Sequence, residues 1–252
     1  MPLTLATITP GAPEIFAALQ GEGASAGKPS VFIRLSRCNL ACVWCDTPYT
    51  WHFDADPRPH IDNQTYPRAE EQITLPEAQA AAKIHALLPQ NPATRRVVIT
   101  GGEPLLQPQP LAKLIDALQT IAPTHIEIET NGSIPPPEPL LSRVDQWNVS
   151  PKLAHSGNPE TLAINPQALA RYAAHPQAWF KFVIAQPDDV AEVTRLAQAH
   201  QLPANRILLM PEGRDSATLR TRARWLADIA LEHGYTLTDR LHIHLSGDTR
   251  GT

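Results

Sequence analysis

Short β-rich runs alternate with helical patterns along this chain, and that alternation limits its fold more than any other feature. The runs fall at residues 31–36, 96–100, 126–130, 146–150, 180–184, 206–210 and 241–245. Each has strand length and is rich in β-branched or aromatic residues. Helical patterns lie between several of them. Residues 75–88 are Ala-rich, with Thr74 and Glu77 spaced as a capping box around Pro76. Residues 111–121 place Leu111, Leu114, Ile115 and Leu118 on one helical face. Residues 166–174 are a short candidate, residues 188–200 begin at a potential Asp188 cap, and residues 216–233 stop at Gly234. Strand and helix in this rhythm predict an α/β fold of βα units on a mainly parallel sheet. Such sheets bind ligands at the C-terminal ends of their strands, so the residues just after each strand carry the interest.

The 252 residues suit one large domain, and no linker divides them. Residues 51–73 break the rhythm with Asp54, Asp56, Pro57, Pro59, Asp62 and Pro67 and no apolar period. They read as a loop insertion with a lid or binding role. Twenty-one Lys and Arg against 25 Asp and Glu give a net charge of −4, which supplies no general grip on nucleic acid. No apolar run reaches the ~18 residues of a membrane span, and the first residues lack the pattern of a secretory signal. The expectation is a cytoplasmic protein.

All three cysteines lie in Cys38-Asn-Leu-Ala-Cys42-Val-Trp-Cys45, directly after the first of these runs. An odd, tight cluster is a poor disulfide framework and suits a reducing compartment and a bound metal. Three thiolates on one loop can each hold one iron of a four-iron cluster and leave the fourth iron open. Clusters held by protein alone use four cysteines, and this chain has no fourth. The alternatives are a zinc site completed by His52, a redox pair of Cys42 and Cys45, or plain core thiols.

C-x3-C-x2-C with the aromatic Trp44 before its last cysteine resembles the cluster motif of the radical S-adenosylmethionine (SAM) superfamily. There the open iron chelates SAM, and one electron yields a 5′-deoxyadenosyl radical. Thr100-Gly-Gly-Glu-Pro104, at the end of a run, resembles that superfamily's GGEP motif. Alone it would read as a tight turn. The resemblance implies an incomplete, modified TIM-type (β/α) barrel. It also implies that Trp44, Gly102, Glu103, Ser150, Pro151, Lys152, Met210 and Pro211 surround SAM. Glu129 to Gly132 closes a further strand with polar groups.

The segment Glu14 to Gly23, with Leu19-Gln-Gly-Glu-Gly23, runs through Gly27 to Arg34 into the cysteines and on to Asp46-Thr47. This segment resembles the 7-carboxy-7-deazaguanine synthase family. The resemblance implies conversion of 6-carboxy-5,6,7,8-tetrahydropterin to 7-carboxy-7-deazaguanine with loss of ammonia, in queuosine and 7-deazapurine biosynthesis. Its implied residues are Leu19, Gln20, Gly21 and Thr100 for the pterin, Arg34 for the substrate carboxylate, and Thr47 for Mg2+, with Asp46 beside it. An arginine suits a carboxylate because its planar fork donates two parallel hydrogen bonds. The implied cofactors are a [4Fe–4S] cluster on Cys38, Cys42 and Cys45, SAM and Mg2+. A flavodoxin-like electron donor and a homodimer are also expected. So is a C-terminal segment, from His242 onward, that reaches the substrate. His242 and His244 would share one face of a strand, half-exposed or holding a metal. Two other classes share some motifs: an activase that makes a glycyl radical on a partner protein, and a non-catalytic zinc module.

Overall fold

Before the first expected strand, the computed structural model, which describes residues 2–252, forms an antiparallel corner. Here β1 (Leu3–Thr9) turns through Gly11 into β2 (Ala12–Pro13), and β3 (Ile15–Leu19) follows. Gly11 has φ +82°, a conformation that costs glycine little. β3 lies antiparallel along β4 (Pro29–Leu35), with Ile15 opposite Ile33 and Leu19 opposite Pro29. The chain continues through α1 (Arg68–Glu71), β5 (Gln72–Leu75) and α2 (Glu77–Leu87) to β6 (Arg96–Gly101) and α3 (Pro108–Ile121). Next come β7 (His125–Thr130), α4 (Glu138–Leu141), β8 (Gln146–Val149), α5 (Glu160–Ala163), α6 (Pro166–Ala173) and β9 (Ala178–Ile184). Last are α7 (Asp189–His200), β10 (Ile207–Pro211), α8 (Ser216–His233), β11 (Thr236–Leu237) and α9 (Leu241–Ser246).

From β4 through β6, β7, β8, β9 and β10 to β11, every neighbouring pair is parallel and in chain order. β1, β2, β3 and β5 add antiparallel partners at the other edge, and the path from β11 to β2 stays open. This is the incomplete barrel that the motifs imply. Alternation along each strand then sorts the side chains. Ile126, Ile128, Trp147, Val149, Phe180 and Phe182 enter the core under the helices. Their neighbours Glu127, Glu129, Asn148, Ser150 and Lys181 take the opposite face, which is consequently polar. Glu127, fully buried, pairs with Arg96 and accepts from Ser25 Oγ at 2.7 Å and Asn148 Nδ2 at 3.0 Å, so its charge is compensated.

The helices end for local reasons. In α3, Leu111, Leu114, Ile115 and Leu118 are buried as the spacing predicts, each worth about 1.5–3 kcal/mol of transfer free energy. α8 begins where the Asp215 carboxylate accepts from the N–H groups of Ala217 and Thr218, both at 2.9 Å. It stops at Gly234, φ +67°.

Several expectations are corrected. Pro76, not Thr74, precedes α2, and no side-chain cap forms there. Asp188 does not cap α7; the Asp189 carboxylate instead accepts from Ala185 N and Gln186 N. Residues 51–73 are not all loop: they close on a Phe53–Tyr66 bridge, and β5 at their end pairs antiparallel with β1. Residues 241–245 are helix α9, not a strand. Their alternation has no sheet partner, because Leu241 N donates to Gly21 O and only Ile243 is buried. His242 therefore packs against Gly21, while His244 bonds Asp239 and Ser216, so the pair forms no joint metal site.

Candidate active site

The C-terminal ends of the parallel strands open into a cavity of about 380 Å³. One wall is the cysteine loop between β4 and the short turn at Pro48. Cys38, Cys42 and Cys45 all line the cavity as free thiols. The neighbouring amides point at sulfur: Leu40 N lies 3.5 Å and Asn131 Nδ2 3.9 Å from Cys38 Sγ, and Asn158 Nδ2 3.3 Å from Cys42 Sγ. Such N–H···S contacts are what tune an iron–sulfur cluster. The loop itself is pinned, with Ala41 N on Asn158 Oδ1 at 2.8 Å and Val43 N on Ser156 O at 2.9 Å. Burial pushes the Cys38 thiol up to about 12, with the Glu103 carboxylate adding to it, and the Cys42 thiol up to about 11. Cys45 is raised as well, by burial and then by Asp46. Thiolates in such a setting need a metal cation to hold them, as a coordinated thiol is deprotonated outright.

The GGEP segment forms the floor beside this loop. A Cβ on Gly102 would be driven into the Arg37 carbonyl oxygen, and one on Gly101 into the Leu35 backbone. Both glycines line the cavity, so the backbone itself faces whatever binds there. Glu103 behaves differently from the expectation. It is fully buried off the cavity, and its carboxylate accepts from Leu105 N at 3.0 Å, Thr130 Oγ1 at 2.9 Å and Asn131 N at 2.8 Å. It braces the floor through these three hydrogen bonds. Pro151 and Pro211 also stay off the cavity wall, while Ser150, Lys152 and Met210 lie on it. Lys152 Nζ donates to Ser150 Oγ at 3.0 Å. Trp44 lines the cavity and stacks on His155, with centroids 5.4 Å apart, and its Nε1 has no hydrogen-bond partner.

The donor set, the backbone cradle and the open indole N–H fit a cluster with SAM beside it. A zinc site with His52 does not form. His52 Nδ1 bonds Gln64 O at 2.7 Å, and among the described residues no three His, Cys, Asp or Glu side chains close on one ion.

The opposite wall is built by charge. Leu19, Gln20, Gly21, Arg34 and Thr100 line the cavity here, while Thr47 lines it from the cysteine loop itself. Arg34 is paired with Glu14, and the Thr47 hydroxyl lies 3.7 Å from Cys45 Sγ. The Gln20 carboxamide is already engaged: Nε2 donates to Glu129 Oε1 at 3.0 Å, and Oε1 accepts from Glu22 N at 3.1 Å. Glu129 also accepts from Thr100 Oγ1 at 2.8 Å, so one carboxylate aligns two expected substrate residues.

Beyond these lies a clasp of residues from four parts of the chain. Glu22 pairs with Lys181 on β9 and with Arg240, and Arg240 also pairs with Asp46 and donates to Gly213 O at 2.6 Å. Burial would raise the Glu22 carboxyl, but Lys181 and Arg240 outweigh it and hold it well below its ordinary value. Asp46 is lowered likewise against its own burial, chiefly by Arg240. His242 is lowered, by burial first. Lys181 carried one readable signal, as a lysine between two phenylalanines in a buried strand. Arg240 carried none. Residues 248–252 also line the cavity.

Comparison with known proteins agrees with this geometry. The model of the Radical SAM superfamily matches residues 32–221. A protein of Pyrobaculum aerophilum named 7-carboxy-7-deazaguanine synthase is 37% identical over 94% of this chain and 95% of its own length. One of the same name from Halobacterium salinarum is 34% identical over 95% of this chain and 91% of its own. The chain belongs to the 7-carboxy-7-deazaguanine synthase family. The crystal structure of QueE from Escherichia coli matches the fold with a TM-score of 0.65 and 26% identity, over 96% of this chain and 95% of that one. Family membership sets aside the zinc module and the glycyl-radical activase.

Proposed function

We propose that this chain is a radical SAM enzyme that converts 6-carboxy-5,6,7,8-tetrahydropterin to 7-carboxy-7-deazaguanine with loss of ammonia. The observation that carries it is the facing of two walls across one cavity: three open thiols on a pinned loop, and opposite them an arginine with polar groups. A [4Fe–4S] cluster on Cys38, Cys42 and Cys45, with SAM beside it, would supply the hydrogen-abstracting radical. The protein supplies binding, orientation and exclusion of competing reactions. The backbone of Gly101 and Gly102 receives the methionyl end of SAM, and Ser150 and Lys152 offer a hydroxyl and a cation to its polar groups. Trp44 flanks its base. Arg34 meets the substrate carboxylate, and Thr100, Leu19 and Gly21 shape the pterin pocket. Gln20 contributes shape, since its amide is spent on Glu129 and the Glu22 backbone. The ion-paired clasp and residues 248–252 keep water from the reacting centre.

Thr47 is the hydroxyl for Mg2+, a hard cation that favours oxygen ligands and keeps several waters. Asp46 is less suited, because Arg240 already holds its carboxylate. A flavodoxin-like donor, a homodimer and a cytoplasmic setting complete the proposal. No helix among the described residues is long and apolar enough to cross a membrane.

The test is anaerobic incubation with SAM, a reductant and the carboxylated tetrahydropterin, followed by mass analysis. Formation of 7-carboxy-7-deazaguanine is expected. SAM cleavage without that product at any substrate concentration overturns the reading. For the metal, the rate should rise with Mg2+, and Thr47→Ala should flatten that dependence. Identical Mg2+ curves for the two proteins would remove Thr47 from the role.

A further inference from the structure

Glu14 and Arg34 face each other across two antiparallel strands. Arg34 N donates to Glu14 O at 3.0 Å, and Glu14 N donates to Ala6 O at 2.8 Å, so both backbones are fixed. The side chains repeat the pairing: Arg34 Nε donates to Glu14 Oε1 at 2.7 Å. The Glu14 carboxylate is fully buried, while the Arg34 side chain keeps 17% of its surface toward the cavity. The Tyr49 hydroxyl lies 3.1 Å and 3.0 Å from the two Glu14 oxygens and donates its one proton to that carboxylate. Arg250 closes the stack, with its guanidinium 3.5 Å from the Tyr49 ring centroid.

The contact is one-pronged, and that is informative. An arginine that pairs only for stability does best through two parallel hydrogen bonds. Here Glu14 takes Nε alone, and among the described residues neither Nη nitrogen of Arg34 donates to the protein. The Nη1–Nη2 edge is thereby left for a ligand, while the Nε bond and the strand register fix where it points. A flexible arginine would instead lose side-chain entropy on gripping a substrate.

We propose that Glu14, backed by Tyr49, is the positioning residue for Arg34 and presents its Nη edge to the substrate carboxylate. This rests on the reading that Arg34 meets that carboxylate. An interaction that persists from ground state to transition state appears in KM more than in kcat. Glu14→Ala should therefore raise KM for the carboxylated pterin about tenfold or more, the scale of one lost charge-assisted hydrogen bond. The kcat should change by less than about threefold. Glu14→Gln should hold KM within about threefold of wild type, because its amide oxygen still accepts from Nε and its N–H2 can donate to the Tyr49 oxygen. Glu14→Asp, one methylene short, should raise KM while keeping the charge.

Iron per chain and thermal midpoint, measured on each preparation, report folding. If Glu14→Ala loses iron, Glu14→Asp decides the matter. Native iron with wild-type KM in both Glu14→Ala and Glu14→Asp overturns the proposal. So does a KM that falls in Glu14→Gln, since Glu14 would then act only as a charge repelling the substrate. Arg34→Ala is the control: a wild-type KM there overturns the carboxylate reading itself, and the positioning role with it.

Discussion

The two walls of the cavity are held together by different physics. The cysteine wall relies on close backbone approach and neutral hydrogen bonds: Gly101 and Gly102 against residues 35–37, and Asn131 and Asn158 beside sulfur. The facing wall relies on buried ion pairs, with Glu14 on Arg34 and Glu22 shared by Lys181 and Arg240. Close packing punishes added volume. Buried charge punishes the loss of one partner, which strands the other. The first wall should therefore respond most to added volume at Gly101 and Gly102, and the second most to the loss of a charged partner.

The largest effect tests whether the cysteine wall acts as a unit. Cys42→Ala should remove both the cluster and SAM cleavage, read as iron per chain and 5′-deoxyadenosine release. Retained cleavage would break the comparison at its root. Next is Arg240→Ala, which leaves Glu22 and Asp46 short of a cation. Denaturant unfolding should show a loss of about 3 kcal/mol. Iron content should remain, because Arg240 bonds none of the cysteines; iron lost as fully as in Cys42→Ala would mean the walls are not separable.

Gly102→Ala should cost about 1–3 kcal/mol from overpacking against Arg37 and weaken SAM binding, measured by titration of the reconstituted protein. A native SAM affinity would show that the floor yields without harm. The smallest effect is the pH slope. Glu22 has a lowered folded pKa, so its contribution is fully present above its ordinary value near 4.5 and is lost as pH falls through the folded value. Urea unfolding of Glu22→Gln should accordingly show a shallower acid limb than wild type below about pH 4.5, where each proton taken up contributes up to ~1.4 kcal/mol per pH unit. Parallel limbs would exclude Glu22 as a source of that slope.

Sequence pattern made the two walls unequally visible. Six of the seven β-rich runs became strands of the parallel sheet, because strand length with β-branched and aromatic residues marks them. The cysteine loop and Gly101–Gly102 were visible because their chemistry is local and compressed into a few residues. The antiparallel corner was not, since Leu3 to Ala6 in β1 take strand form from Gln72 to Leu75, far along the chain. The clasp was invisible for the same reason: Glu22 and Arg240 are 218 residues apart. Residues 241–245 misled because alternating Leu, Ile and His fits a strand locally, while their packing on Gly21 decides otherwise. Glu103 stood in a readable motif, but only the fold reveals that its carboxylate faces away from the cavity.

The clasp also bears on the order in which the molecule is made. The partners of the three cysteines and the glycine floor, from Leu35 to Asn158, lie in the earlier part of the chain, whereas the opposing wall waits for Lys181, Arg240 and Arg250. Roughly eighty residues separate Asn158 from Arg240, and at 5–20 residues per second their synthesis takes roughly 4–16 s. During that interval a chain in synthesis already contains Asn158, which bonds the cysteine loop, while Arg240, which completes the clasp, is still to be made.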